Sequence, residues 1–157
     1  MDPSDDPRPG ETVLDAPIQN QAALQFIGRI RTPFATRREC PRQGSLDGPE
    51  CQIEVEARFE PALQGLEPGV LIEVLYWLDR ARRDLLTQSP RSDGNARGTF
   101  ALRSPVRPNP IGTAVVKLVA CDGPVLTVQG LDCLDDTPLL DIKPDRRGYC
   151  VQAPPKA

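Results

Sequence analysis

The sequence predicts an all-β fold: a mainly antiparallel, closed or nearly closed barrel of about seven short strands with few short helices. Three observations predict it. Short alternating or apolar segments recur with turn signals roughly every 8–12 residues. The 18 prolines fall mostly between those segments, where a missing N–H does no harm. Only one segment, residues 79–88, reads as a helix, and there is no internal repeat and no heptad pattern.

Residues 1–20 carry five acids (Asp2, Asp5, Asp6, Glu11, Asp15) against one base, Arg8, a net −4. They have too little apolar content to offset ordering and are expected to form a disordered acidic tail. The barrel domain is expected over 21–147 and a C-terminal tail over 148–157. "LQFIGRIRT" (24–32) is apolar and β-branched and reads as the first strand. A long loop rich in Pro, Gly and Arg follows over 33–50. "CQIEVEARF" (51–59) alternates, with Ile53, Val55 and Ala57 on one face and Gln52, Glu54, Glu56 and Arg58 on the other. Residues 60–69 hold at most one helical turn before Pro68-Gly69 breaks it. "VLIEVLYWL" (70–78) is nearly all apolar, as a central strand would be, with Glu73 its one charge. Residues 79–88 read as the short helix and 89–98 as loop. "TFALRS" (99–104) and "TAVVKLVAC" (113–121) read as strands. Residues 121–124 turn tightly into "VLTVQGL" (125–131), making a hairpin, and "PLLDIK" (138–143) is the last strand.

Composition narrows the chemistry. A pI near 5.0 argues against gripping nucleic acid by bulk charge. Sixteen of the 19 bases are Arg, whose planar fork suits carboxylates and phosphates. No apolar run approaches about 18 residues, so no transmembrane helix and no membrane partner are expected. The N-terminus shows no basic-plus-apolar leader, so no export is expected. Five cysteines without a C-x-x-C pair then read as reduced thiols of a cytoplasmic protein. There is no His, so neither a Ser-His-Asp nor a Cys-His arrangement can exist within one chain. Without His or paired Cys spacing, no metal site is expected. Acid–base work would fall to carboxylates, Tyr, Lys or Cys.

Three loops are unusual. "RSPVRPNPIG" (103–112) places Pro after Ser104, Arg107 and Asn109, which excludes helix and central strand and stiffens the chain. It reads either as an anion clamp presenting Arg103 and Arg107, or as a stiff barrel corner with solvated arginines. "GLDCLDDTPLLDIKP" (130–144) gathers Asp132, Asp135, Asp136 and Asp141. It lacks an EF-hand spacing and reads as turn chemistry or as acceptors for ribose hydroxyls. "CPRQG" (40–44) offers Arg42 and Gln43 on a loop able to fold over a ligand.

"IGRIRTPF", "PRQG", "VLYWLDRA", "GNARGTFALRSPVRPNPIG" and "LDCLDDTPLLDIKP" occur in one order over residues 24–144. In this the chain resembles the TsaA-like (YaeB-like, TrmO) family. The resemblance implies a non-Rossmann barrel, S-adenosyl-L-methionine (SAM) as cofactor, and a homodimer with SAM near the subunit interface. It implies methyl transfer to N6 of threonylcarbamoyl-adenosine beside a tRNA anticodon. Carried over by motif, the SAM contacts are Pro41, Arg42, Gln43, Gly44, Asp79, Arg80, Arg103, Asp135, Asp136, Thr137 and Pro138. Asp79 and Asp135 are candidate proton acceptors, and Arg97, Arg107 and Lys143 candidate RNA contacts. Three positions depart from the family pattern. Asp79 stands where His is common, Asp136 replaces the Gly of L-D-G-T-P, and Asp145 replaces an aromatic after D-I-K-P. The sequence also ends without the C-terminal extension of bacterial tRNA-modifying members. Alternatives remain a non-catalytic SAM-binding dimer and a methyltransferase for another RNA or a small molecule.

Overall fold

The computed structural model describes residues 6–91 and 94–146; the expected C-terminal tail, 148–157, lies outside them. The chain divides into two compact units. A barrel unit comprises residues 24–77 and 112–157, and an arginine-rich unit comprises residues 1–23 and 78–111. The barrel domain expected over 21–147 thus contains part of each.

In the barrel unit, β2 (Gly28–Arg31), β3 (Glu50–Val55), β4 (Leu71–Trp77), β7 (Ile111–Asp122), β8 (Val125–Gln129) and β9 (Thr137–Pro144) close on one another. The ring order is β2-β3-β8-β7-β4-β9, and the registered pairs are antiparallel. Period-2 sequence patterns make the core. On β3, Cys51, Ile53 and Val55 point inward while Gln52 stays exposed. Ile53 faces Ile30 on one neighbour and Leu126 on the other. Ile30, Ile72, Val74, Val116, Leu118 and Leu139 have no exposed surface. Residues 70–78, read as a central strand, supply β4, which lies between β7 and β9 in the ring; Ile72, Val74 and Tyr76 are buried, their neighbours half-buried. One face fills the barrel and the other does not, as barrel closure demands.

Two expectations are corrected here. The first strand begins at Gly28 rather than residue 24. Ala57 is exposed and opens a 3-10 segment, Ala57–Leu63, containing Pro61, so β3 ends at Val55. Gly112 is required for space: a Cβ there would overlap the Tyr76 ring.

In the arginine-rich unit, β1 (Thr12–Val13), β5 (Leu85–Gln88) and β6 (Arg97–Gly98) form a three-stranded sheet in the order β1-β5-β6. The helix expected over 79–88 does not form; its second half is β5. A ten-residue helix is marginal alone, whereas β5 finds backbone partners on both sides. "TFALRS" is likewise not a strand: Thr99–Ala101 is a single 3-10 turn. The acidic segment read as a tail supplies β1. Glu11 fixes it, accepting the Ser89 N–H at 2.9 Å, the Arg8 N–H at 2.9 Å and the Arg8 guanidinium at 2.8 Å. Burial alone would raise the Glu11 pKa; the Ser89 and Arg8 donors outweigh it and hold the carboxyl below its usual value.

Candidate functional site

In the barrel unit, the turn between Leu134 and Thr137 is held by hydrogen bonds to β2 and to the residues that follow it. The Asp135 N–H donates to the Phe34 carbonyl and the Asp136 N–H to the Ile30 carbonyl, both at 2.9 Å. The Asp135 carboxylate accepts the Thr32 N–H at 3.1 Å. The Thr137 hydroxyl donates to the Leu134 carbonyl at 2.7 Å. Asp136 has φ 64°, the only non-glycine residue in the left-handed region among those described. The departure from Gly therefore keeps the backbone a glycine would take, and Asp tolerates that region better than most residues. Its carboxylate pairs with Arg31 at 2.9 Å, and Arg31 also binds Glu54 at 3.0 Å.

The loop at 40–44 lies against this region. A Cβ on Gly44 would overlap the Gly130 carbonyl, so only glycine allows the approach. Pro41, Arg42 and Gln43 are exposed beyond it. Cys40 and Cys133 are both pushed up in pKa, first by burial and also by the Asp132 charge; Cys133 reaches about 12. Both thiols are thus poor nucleophiles.

Sequence reasoning did not couple Tyr76 to Asp132. The Tyr76 hydroxyl donates to the Asp132 carboxylate at 2.5 Å, tying β4 to the segment before the Asp135–Asp136 turn. The only signal was a buried Tyr that needs a partner. Asp141 pairs with Lys143 at 2.6 Å, which raises the Lys143 pKa. The four aspartates of 130–144 thus take separate partners.

In the arginine-rich unit, Asp79, Arg80, Arg97 and Arg103 are exposed. The proline loop is braced by polar side chains. Gln88 donates to the Val106 carbonyl at 2.7 Å and to the Thr99 hydroxyl at 2.9 Å, and that hydroxyl donates to the Leu85 carbonyl at 2.7 Å. Arg83 donates to the Pro108 carbonyl at 2.6 Å. Arg107 turns onto its own loop, reaching the Leu102 and Ser104 carbonyls at 3.4 Å. Arg103 is exposed. The predicted residues therefore fall in two groups: Pro41–Gly44 and Asp135–Pro138 in the barrel unit, and Asp79, Arg80 and Arg103 in the arginine-rich unit. Within the first group Thr137 and Pro138 are buried, their side chains serving the turn.

A closed antiparallel barrel with an Asp135–Asp136 turn and a glycine-docked Arg42–Gln43 loop defines a barrel protein outside the doubly wound nucleotide-binding class. The chain belongs to the family described as tRNA-methyltransferase O N-terminal domain, whose model matches residues 29–149. It is 50% identical over 139 residues to a probable S-adenosyl-L-methionine-binding protein, VirR, of Rhizobium radiobacter, covering 88% of this chain and 79% of that one. It is 36% identical over 136 residues to the tRNA (adenine(37)-N6)-methyltransferase of Escherichia coli K12, covering 78% of this chain and 58% of the enzyme. The crystal structure of TrmO from Pseudomonas aeruginosa matches with a TM-score of 0.68 at 31% identity, covering 87% of this chain and 62% of that one. The chain thus spans less than two thirds of the E. coli enzyme and of the Pseudomonas structure.

Proposed function

We propose that this protein binds SAM and transfers its methyl group to N6 of an adenine in tRNA, with threonylcarbamoyl-adenosine beside the anticodon as the acceptor. The observation that carries the reading is the Asp135–Thr137 turn, which keeps a glycine-type backbone at Asp136 within a family match over residues 29–149. The names of the Rhizobium and E. coli relatives support SAM binding and tRNA adenine methylation respectively.

The residues present fit SAM. Exposed Arg42 suits its carboxylate, and the exposed Gln43 amide suits the adenine edge. When bound, SAM supplies an electrophilic methyl group. The chain's own work is to align the acceptor nitrogen, which supplies much of the rate, and to take its proton. Asp135 is engaged by the Thr32 N–H and acts as a turn-former. Asp79, exposed in the arginine-rich unit, is the proton acceptor in this reading. A homodimer in the cytoplasm completes it.

A second reading, a SAM-binding module without turnover, is favoured by Asp79 standing where the family commonly has His. Calorimetry with SAM, followed by methylation assays on tRNA carrying and lacking the threonylcarbamoyl group, separates the two. Methyl incorporation into the modified tRNA is expected. SAM binding with no incorporation into either tRNA establishes the module instead. Arg42→Ala should weaken SAM binding about tenfold, the loss of one charge-assisted hydrogen bond. Unchanged affinity removes the proposed carboxylate contact.

A further inference from the structure

The most exposed large apolar side chain described is Phe100, at 83%. A single exposed Phe is ordinary on a protein surface; this one is set apart by its mounting and its charged neighbours. Its mounting is rigid. Thr99, beside it, is only 3% exposed and its hydroxyl is bonded both to Gln88 and to the Leu85 carbonyl. The Leu102 N–H closes the turn on the Thr99 carbonyl at 3.2 Å.

The charge beside it in sequence is positive. Residues 78–111 hold seven Arg, three Asp, no Lys and no Glu, a net +4, which the net −4 of residues 1–23 balances over the whole unit. Arg97 and Arg103 lie three residues to either side of Phe100, and both are exposed. A fixed, open aromatic face among arginines is what an unpaired nucleobase and its phosphates require: the ring stacks on the base and the cations meet the backbone. Two exposed guanidinium groups flanking the ring suit phosphates rather than an apolar protein partner.

We propose that Phe100 is a stacking platform for an unpaired base of the RNA substrate, with Arg97 contacting the flanking phosphate. This rests on the tRNA reading above and adds where the arginine-rich unit grips the loop. Rigid mounting lowers the ordering cost of the contact.

The test is fluorescence anisotropy of the full chain with a labelled anticodon stem-loop RNA, over a salt series. Phe100→Ala should weaken binding about tenfold or more, as loss of one stacked base does, with the salt slope unchanged. Phe100→Trp should restore it. Arg97→Ala should lower the salt slope by about one contact. SAM affinity of Phe100→Ala, read by calorimetry, should stay at the wild-type value. If the wild type binds and methylates RNA while Phe100→Ala binds equally well, this inference falls and the tRNA reading stands. If Phe100→Ala instead turns a dimer into a monomer on sedimentation, the ring belongs to a self-contact and the inference is overturned. If the wild type does not bind RNA at all, the tRNA reading falls as well.

Discussion

The two units hold themselves together by different physics. The barrel unit buries branched aliphatic side chains from all six strands, with Ile30, Ile53, Leu118 and Leu126 wholly enclosed. The arginine-rich unit has little to bury: among the described residues Leu85 and Pro110 are its buried apolar side chains, beside the buried polar side chains of Gln88, Ser89 and Thr99. It relies on directed hydrogen bonds, on prolines that limit the unfolded chain, and on Glu11. Apolar packing is non-directional and tolerant of small shifts. A polar network loses most when one partner is removed and the others are left unsatisfied. The unit offering exposed Arg and Phe side chains is therefore the one whose geometry is set by donors and acceptors.

The largest expected effect lies in the barrel. Leu118→Ala should cost about 2–5 kcal/mol, the transfer term plus a cavity, read as a lowered midpoint in thermal or denaturant unfolding. Next is Gln88→Leu, which strands the Val106 carbonyl and removes a donor from Thr99. It should cost about 1–3 kcal/mol, and limited proteolysis should cut near 103–110 while the barrel stays intact. Cleavage spread evenly over both units would break the contrast. The smallest effect is acid loosening of the sheet at β1. Glu11 has a folded pKa below its ordinary value, so its stabilisation is present above that ordinary value and is lost as pH falls through the lowered one. Hydrogen exchange at the Ser89 and Leu14 amides should accelerate over that acid window, and Glu11→Gln should remove the dependence. An unchanged profile in Glu11→Gln would show that β1 is not held by this carboxylate.

The barrel was legible because its signal is periodic. Ile53 and Val55 alternate with polar neighbours, and a half-buried strand is the simplest structure that uses that pattern. β1 was not, since Thr12-Val13 is too short to carry a period and sits among acids. β5 was misread because Leu85-Leu86 after three arginines suits a helix as well as a strand; only its two partners decide. The Asp135–Asp136 turn and the Arg42–Gln43 loop were legible through their motifs, and the φ of Asp136 explains why Gly is the usual residue there. Tyr76 and Asp132 are 56 positions apart, and Gln88 ends the segment read as a helix while Thr99 opens one read as a strand. Nothing local announces either pair. Arg107, read as a clamp or an RNA contact, is turned by the stiffness of its own loop onto that loop's carbonyls.

The closure of β9 onto β2 has a consequence for how the protein behaves at high concentration. A sheet with open borders offers a row of unpaired amides and carbonyls on which another chain can grow. Here the six-stranded ring has no border, and the outer strands of the small sheet, β1 and β6, are two residues each. Neither is long enough to template a fibril, so the folded molecule carries its own protection against runaway strand addition.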